Sequence, residues 1–482
     1  STYYDDLALR GVWGDVQWSP DSSEVGLVST SRDHKHVQFR VASASTGAVR
    51  DVFDEWQRDT YFGALEGILN WKYLGASHEV VWHSERDGWG HLYLYDALNG
   101  KMKRKITGGE GPVVRLVRVD EKQRFAYFLA GGKEKGRDPY FLHLYRASLD
   151  GTGQMLLTPE EANHDVTFSP DGAVFVDRYS TPVTPAVSVL RRSNGELIAT
   201  LARADISKLT AAGWKPPMLI TVKARDGETD LYGLLYRPSN FDAAKRYPII
   251  CHTYPNGIVG PHGFFASRSD SQAIAELGFV VMELDGLGSP YRSKKFRDYL
   301  YNKYYDGSIP DQIAGMKQLA ARYPWIDLDR AGIHGHSGGG YTTARAMFEY
   351  PDFFKAGVSQ AGDHDNRGYE DDCMEMLSGL LVRNADGTTS YDIQANQYLA
   401  KNLKGHLLLA HGTMDTNVHP NNTLLVVDAL IKANKDFDLL MLPNRGHGFG
   451  NEPYMMRRRW DYFVRYLLGA EPPHYELRPT AQ

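Results

Sequence analysis

The chain has 482 residues, of which 42% are hydrophobic and 23% are charged, and its formal net charge is −5. This length leaves room for two or three domains, and the composition is that of an ordinary globular protein. A negative net charge without a long basic run argues against nucleic acid as a partner. No run of eighteen apolar residues occurs, so no membrane span is predicted. Two cysteines are too few for a disulfide framework.

The chain begins at Ser1, with neither an initiator methionine nor a signal peptide. We therefore expect that a preceding segment was removed or is not included. This start does not identify the compartment, which stays unknown, and a periplasmic or secreted location is slightly favoured over a cytoplasmic one.

Residues 1–215 contain strand-like segments and turns. Residues 80–83 lead through a turn at 85–88 into the run 91–95, which is typical of a β-hairpin. Short phrases also recur: His91-Leu92-Tyr93 returns as His143-Leu144-Tyr145, about 50 residues later. Ser19-Pro20-Asp21 returns as Ser169-Pro170-Asp171, about three such periods later. A strand-built period of this length indicates propeller blades, with a β-sandwich carrying coincidental repeats as the alternative.

From residue 216 onward, strand-like and helix-like runs alternate. The strand-like runs are 247–252, 279–284, 331–334, 355–358, 406–410 and 438–442. The helix-like runs are 270–277, 311–323, 341–350, 423–433 and 454–468. This alternation predicts a doubly wound, mostly parallel sheet that is covered by helices on both faces.

One motif in this half carries catalytic chemistry. Gly335-His336-Ser337-Gly338-Gly339 follows a predicted strand and precedes a predicted helix, the context that a nucleophile elbow requires. The turn is so tight that glycine is needed two residues on either side of the serine. It lifts the Ser337 hydroxyl above the sheet, in front of a helix N-terminus. We therefore predict that Ser337 is the nucleophile of an α/β-hydrolase domain.

A serine nucleophile needs a base and an orienting carboxylate, and on this fold they follow the serine in the order Asp or Glu, then His. Asp415 lies just past the predicted strand 406–410, and His447 lies just past the predicted strand 438–442. His336 is too close to Ser337 to face it as a base. His411 and His419 flank Asp415 and are expected to shape its loop. The predicted catalytic residues are Ser337, Asp415 and His447, and this chemistry needs no metal or cofactor.

These motifs resemble the prolyl oligopeptidase family of serine peptidases, and most closely its dipeptidyl peptidase IV branch. The resemblance runs from about residue 216 to 468. It is carried by Gly335-His336-Ser337-Gly338-Gly339-Gly340, by His411-Gly412-Thr413-x-Asp415-x-Asn417-Val418-His419 and by Gly446-His447-Gly448. The strand repeats before residue 215 resemble part of that branch's propeller.

The resemblance implies further roles. Tyr254 matches the tyrosine whose hydroxyl helps to form the oxyanion hole, and the backbone N–H of Gly338 would be the second donor. Asn417 matches a residue that holds the substrate backbone. The segment 362–372 matches the aromatic proline pocket but is polar here, with Tyr369 as its main aromatic side chain. Tyr369 is therefore expected to contact substrate, while a preference for proline is in doubt.

The propeller is expected to be truncated. The branch has eight blades, whereas 215 residues supply four or five, so the chain would begin in mid-propeller. The paired glutamates that bind a substrate's amino terminus in that branch would then lie in the missing part. The only adjacent glutamate pair here is Glu160-Glu161, which is predicted to lie in an inter-blade loop and is a poor candidate for the amine anchor.

The sequence thus predicts two domains: a partial β-propeller over residues 1–215 and an α/β-hydrolase over residues 216–482. The predicted function is a serine peptidase that cleaves short peptides through an acyl-enzyme and releases dipeptides from N-termini. A carboxylesterase or an endo-oligopeptidase on the same triad is the alternative, and a catalytically silent binding module is a third reading. The expected partner is a peptide substrate, and a homodimer is left open.

Overall fold

The structure, a computed structural model, describes residues 16–57, 59, 60, 70–255, 263, 265 and 269–477. These residues form two compact units. The first contains the described residues up to Asp205 together with the segment Pro290–Tyr299, and the second contains most of the chain from Ile206 onward. The predicted domain boundary at residue 215 lies about ten residues past this division.

The first unit consists of four-stranded antiparallel sheets, each formed by four strands consecutive in sequence. The first sheet contains β1 Val16–Trp18, β2 Glu24–Thr30, β3 His36–Ser43 and β4 Val49–Trp56, and the second contains β5 Trp71–Leu74, β6 Glu79–Ser84, β7 His91–Asp96 and β8 Met102–Lys105. The third contains β9 Val113–Asp120, β10 Phe125–Ala130, β11 His143–Ser148 and β12 Met155–Leu156, and the fourth contains β13 Asn163–Phe168, β14 Val174–Ser180, β15 Val187–Arg192 and β16 Leu197–Arg203.

Both faces of the second sheet are buried against neighbouring sheets. Because side chains alternate between the two faces of a strand, successive residues of β6 pack in opposite directions. Trp82 belongs to a cluster with Phe39 of the first sheet, whereas Val81 belongs to a cluster with Phe128 of the third. Because both faces of β6 are buried, apolar residues occur at successive positions of this strand. The four-stranded sheets and their packing confirm the predicted propeller-like blades.

The recurring phrases occupy equivalent places in different blades. His91 begins β7 and His143 begins β11, each the third strand of its sheet. The residue after each histidine donates its N–H to a threonine hydroxyl: Leu92 to Thr107 at 3.0 Å and Leu144 to Thr158 at 2.9 Å. The two Ser-Pro-Asp phrases lie between the first and second strands of the first and fourth sheets. The predicted hairpin pairs β6 with β7.

The second unit is built on an eight-stranded sheet with the order β17-β18-β20-β19-β21-β22-β23-β24. Its strands are β17 Met218–Lys223, β18 Asp230–Tyr236, β19 Tyr247–His252, β20 Val280–Leu284, β21 Ile326–His336, β22 Phe354–Gln360, β23 His406–Gly412 and β24 Asp438–Leu442. β17 and β18 pair in antiparallel fashion, and all pairs from β20 to β24 are parallel. The predicted mostly parallel sheet of an α/β-hydrolase is confirmed.

The helices of the second unit match the predicted runs closely. In the part of the chain that the structure describes, the α-helices are, in chain order, α1 Ser207–Ala211, α2 Asp270–Glu276, α3 Lys294–Arg297, α4 Ile309–Arg322, α5 Gly338–Glu349, α6 Asp371–Ser378, α7 Asn421–Lys432 and α8 Pro453–Phe463. α3 lies in the segment Pro290–Tyr299, which is part of the first unit. Among the described residues, no helix is long and apolar enough to cross a membrane.

The core beside the catalytic strands is apolar. Ile274 of α2 and Phe463 of α8 pack with Ile250, Val358 and Leu408 of the sheet, and all five are buried. Burying side chains of this size is the main favourable contribution to folding. The central strands are thereby fixed, and the loops at their carboxyl ends are held in place for the site.

A buried carboxylate in the second blade gives the first unit a testable dependence on pH. Burial alone would raise the pKa of Glu79, but hydrogen bonds from Arg124 and Lys103 outweigh it and lower the pKa from 4.5 to about 2. Lys103 Nζ lies 2.7 Å from Glu79 Oε1, and the glutamate side chain is 4% exposed. Because the folded pKa is lowered, this stabilisation is present above about pH 4.5 and is lost as the pH falls toward 2.

We expect Glu79→Gln to lower the free energy of unfolding of the first unit by about 1–3 kcal/mol at pH 7, since charged hydrogen bonds are lost. The difference in unfolding free energy between wild type and Glu79→Gln should shrink between pH 5 and pH 2, where Glu79 of the wild type is protonated and loses its charge. Urea titrations followed by the fluorescence of Trp71 and Trp82, which lie in the same blade, would measure it. Glu196→Gln is the control, because Glu196 forms an exposed pair with Arg192. A difference in unfolding free energy that does not change with pH would contradict this role of the Glu79 charge.

Candidate active site

Ser337 occupies a strained turn between β21 and α5. Its φ is 59° and its ψ is −126°, a conformation that residues other than glycine rarely adopt. The turn is held on both sides. The Ser337 N–H donates to the carbonyl of Gln360 at 2.8 Å, and the Ser337 carbonyl accepts from the N–H of Tyr341 at 3.0 Å. The predicted helix at 341–350 begins earlier, at Gly338, directly after the serine.

The glycines around Ser337 are required by close backbone approach. A Cβ atom on Gly335 would lie 2.5 Å from the carbonyl oxygen of Thr253, and one on Gly339 would lie 2.4 Å from the same oxygen. A Cβ atom on Gly340 would lie 2.3 Å from the carbonyl oxygen of Gln360. Such contacts are too short for any side chain. The sequence motif is thus explained by the packing of the turn against β19 and β22.

Asp415 and His447 meet in the loops after β23 and β24. His447 Nδ1 lies 2.7 Å from Asp415 Oδ2. The second oxygen of this buried carboxylate accepts the backbone N–H groups of Asn417 and Val418, both at 3.0 Å. A proton held on Nδ1 by Asp415 leaves Nε2 as the basic nitrogen. The ring of His336, next to Ser337 in the chain, lies 4.8 Å from the ring of His447.

The other histidines near the site have structural contacts. His411 is buried, with Nδ1 2.7 Å from the Thr423 hydroxyl and Nε2 2.9 Å from the Val418 carbonyl. Burial lowers the pKa of His411. For His336, burial and the charge of His447 together lower the pKa to about 4. Both rings are therefore neutral at pH 7. His411 shapes the Asp415 loop, as the sequence predicts.

Tyr254 and Gly338 lie together beside Ser337. Burial of the hydroxyl and the nearby charge of Asp363 raise the pKa of Tyr254 to about 12, while a hydrogen bond with Ser337 acts in the opposite direction. The phenol therefore stays protonated and can donate a hydrogen bond at neutral pH. Gly338 is packed closely: a Cβ atom there would lie 2.6 Å from Pro255 Cγ and 2.9 Å from the Tyr304 hydroxyl.

The structure also brings together the two predicted substrate-binding residues. The Tyr369 hydroxyl donates to Asn417 Oδ1 at 3.2 Å, and Asn417 Nδ2 donates to Glu370 Oε1 at 3.1 Å. Burial, followed by the charge of Asp363, raises the pKa of Tyr369. These side chains form one hydrogen-bonded group, and the Asn417 backbone is tied to Asp415.

Two residues near the site were missed by sequence reasoning. Asp363 is 1% exposed and follows β22 in the chain, and its Oδ2 accepts a hydrogen bond from the Tyr304 hydroxyl at 2.9 Å. The sequence did contain one signal for Asp363: it lies just past β22, the neighbour of the strand that precedes Ser337, and side chains at the carboxyl ends of parallel strands lie close together. Tyr304 lies in a short turn with no sequence pattern that marks it.

One other cluster of charged groups has a structural explanation. Glu160, His164 and Asp177 lie close enough to share a cation. Arg191 already fills that role, because its Nε lies 3.0 Å from Asp177 and its Nη2 pairs with Glu160. The guanidinium therefore satisfies the acidic groups without a metal ion. The same pair gives Glu160 a partner for its charge, which weakens it further as an amine anchor.

Comparisons with known proteins agree with this geometry. The family model described as the prolyl oligopeptidase family matches residues 265–470, and the model of the dipeptidyl peptidase IV N-terminal region matches residues 6–186. Dipeptidyl peptidase 8 of Homo sapiens is 31% identical over 408 residues, which cover 77% of this chain and 45% of that protein. Dipeptidyl peptidase 4 of Trichophyton tonsurans is 28% identical over 456 residues, which cover 89% of this chain and 56% of that protein.

A solved structure is similar as well. Porphyromonas gingivalis dipeptidyl peptidase 4 superposes with a TM-score of 0.82 at 25% sequence identity, over 94% of this chain and 63% of that one. The chain therefore spans about half the length of the curated relatives it matches. With the propeller-like blades, the nucleophile turn and the Asp–His pair, these matches show that the chain belongs to the prolyl oligopeptidase family and is dipeptidyl peptidase IV-like.

Proposed function

We propose that this chain is the catalytic part of a serine peptidase that releases dipeptides from the N-termini of short peptides. The observation that carries the proposal is the 2.7 Å contact between His447 Nδ1 and Asp415, at strand ends beside the strained turn of Ser337. The relatives named above are dipeptidyl peptidases, which supports both the substrate class and the exopeptidase mode. We propose residues 1–215 and 216–482 as its two domains.

In the proposed mechanism, Ser337 attacks the scissile carbonyl while His447 Nε2 takes its proton. His447 then gives the proton to the leaving amine, and the acyl-enzyme is hydrolysed by the reverse sequence with water. Asp415 fixes the tautomer and stabilises the positive charge that His447 acquires. The Tyr254 hydroxyl and the Gly338 N–H stabilise the oxyanion, on which charge develops in the transition state. Asn417 and Tyr369 hold the substrate.

The alternatives use the same triad. A carboxylesterase would hydrolyse p-nitrophenyl acetate but no dipeptide nitroanilide. An endo-oligopeptidase would prefer internal peptide bonds in blocked peptides. Both are less favoured, because the relatives are named as dipeptidyl peptidases and the N-terminal region matches that branch. A homodimer and a periplasmic or secreted location are further proposals, to be tested by light scattering and by cell fractionation.

The triad predicts that Ser337→Ala lowers kcat for dipeptide nitroanilides by several orders of magnitude, since only substrate binding and oxyanion stabilisation would remain. Ser359→Ala is the matched control, because Ser359 is a buried serine on β22 whose hydroxyl donates to the Gly340 carbonyl. It should keep activity in proportion to its folded fraction. Wild-type turnover in Ser337→Ala would remove the serine from the mechanism.

The oxyanion assignment predicts that Tyr254→Phe lowers kcat by about 10²–10³-fold with little change in substrate affinity, the usual loss for one donor. Tyr454→Phe is the control, because Tyr454 lies on α8 and is 48% exposed, close to the 46% of Tyr254. Steady-state and single-turnover kinetics separate the two effects. A variant that binds substrate more weakly but turns it over normally would show that Tyr254 only lines the pocket.

The ion pair between Glu160 and Arg191 predicts whether the chain distinguishes substrates with a free amino terminus from N-acetylated ones. A charged amine entering a site needs a carboxylate partner, and Glu160 is already paired with Arg191. We therefore expect the 482-residue chain to hydrolyse free and N-acetylated dipeptide nitroanilides with similar kcat/KM. A large preference for the free amine would mean that another carboxylate anchors it. Glu370, which is hydrogen-bonded to Asn417, would then be the first to substitute.

A further inference from the structure

Asp363 is a buried carboxylate whose hydrogen bonding is incomplete. Its Oδ2 accepts from the Tyr304 hydroxyl at 2.9 Å, but its Oδ1, which is shielded from solvent, has no hydrogen-bond partner among the described residues. Burial raises the pKa of Asp363 to about 6, against the opposing effects of the Tyr304 hydrogen bond and the charge of His447. A buried polar atom without a partner costs free energy, so its retention needs an explanation.

A single hydrogen bond links the Asp363 carboxylate to Tyr304, which lies beside the proposed oxyanion hole. The Tyr304 hydroxyl that binds Asp363 is 2.9 Å from the place that a Cβ atom on Gly338 would occupy. The charge of Asp363 also acts on Tyr254, Tyr304 and Tyr369, whose pKa values it raises. Asp363 therefore lies among the groups that surround the reacting carbonyl, with Tyr304 as the link.

The position of a bound substrate follows from this geometry. When the scissile carbonyl oxygen lies between Tyr254 and Gly338, the Cβ atom of the residue that supplies this carbonyl, P1, is three bonds from that oxygen. Tyr304 and Asp363 are therefore within reach of that side chain. Other nearby groups, Tyr341 and Met374, are buried in a cluster that also contains Tyr304 and contacts Tyr369 and Cys373.

We propose that Asp363 is a specificity-determining residue, whose unpartnered oxygen accepts a hydrogen bond from the P1 side chain of the substrate. This inference rests on the proposed function, since it locates the acyl group by the triad and the oxyanion hole. The favoured P1 side chain carries a hydrogen-bond donor, and a cationic lysine or arginine is favoured most, because a charged donor pairs with the carboxylate most strongly. An apolar P1 residue, proline included, leaves the carboxylate oxygen buried and unpaired.

The test compares P1 lysine with P1 norleucine, which has a similar apolar chain without the ammonium group. We expect wild type to favour Ala-Lys-p-nitroanilide over Ala-norleucine-p-nitroanilide by about 10–100-fold in kcat/KM, with Ala-Pro-p-nitroanilide also disfavoured. Asp363→Asn should lower kcat/KM for the lysine substrate and spare the norleucine substrate, which brings the ratio close to one. The shift should appear in the ratio, which a general loss of activity does not change.

Asp365→Asn is the control on the same loop. Asp365 is buried like Asp363, but it is paired with Arg367, whose Nε lies 2.8 Å from Asp365 Oδ1. This variant should keep the lysine-to-norleucine ratio of wild type even if it lowers overall activity. The wild-type ratio needs no variant, so the inference stays testable if Asp363→Asn folds poorly.

The outcomes separate this inference from the proposed function. Ser337-dependent hydrolysis of the nitroanilides without a preference for P1 lysine would overturn the role of Asp363 and leave the peptidase proposal standing. A lysine preference that Asp363→Asn leaves unchanged would also overturn it. Failure to hydrolyse any of the peptides, with p-nitrophenyl acetate still turned over, would overturn both.

Discussion

The backbone conformation of Ser337 is the constraint on which the rest of the catalytic unit depends. A serine at positive φ costs of the order of 1–3 kcal/mol and persists only when its surroundings hold it. Here the hydrogen bond from its N–H to Gln360 and the start of α5 hold the turn. Gly335 and Gly339 then allow the turn to contact the Thr253 carbonyl. Any side chain at either position would push the serine away from β19 and from Tyr254.

The order of the strands in the sheet determines which loops surround Ser337. β21, β22, β23 and β24 are successive neighbours in the sheet, so the loops after them are gathered at one edge. Ser337 follows β21, Asp363 follows β22, Asp415 follows β23 and His447 follows β24. The apolar core under these strands fixes their relative positions, and the carboxylate of Asp415 that contacts His447 is buried.

The sequence predicted those parts of the fold that depend on local pattern. The strands 247–252 and 438–442 were predicted with the bounds that the structure shows, because short apolar runs between turn residues are distinctive. Helix ends were less accurate: α5 begins at Gly338, three residues before the predicted start, because the nucleophile turn leads directly into it. The association of Pro290–Tyr299 with the first unit could not be predicted, since it depends on contacts between residues far apart in sequence.

Motif spacing placed Ser337, Asp415 and His447 at the ends of strands, and the structure brings Asp415 and His447 into contact. Asp363 and Tyr304 could not be identified in this way, because they have no motif and their importance arises from burial and from a contact across 59 positions of sequence. The polar character of the segment 362–372 was visible, but which of its acidic residues is buried was not. Chemistry that depends on an unpaired buried oxygen is visible only in three dimensions.

The central claim is that Ser337 is a nucleophile activated by His447. Reaction with a fluorophosphonate, followed by intact-mass measurement and peptide mapping, tests it most directly, because the reagent forms a covalent bond only with an activated serine. The account predicts one adduct per chain, located on Ser337, and a much slower reaction in His447→Ala with the fold intact. An unmodified chain, an adduct on another residue, or an unchanged rate in His447→Ala would contradict it.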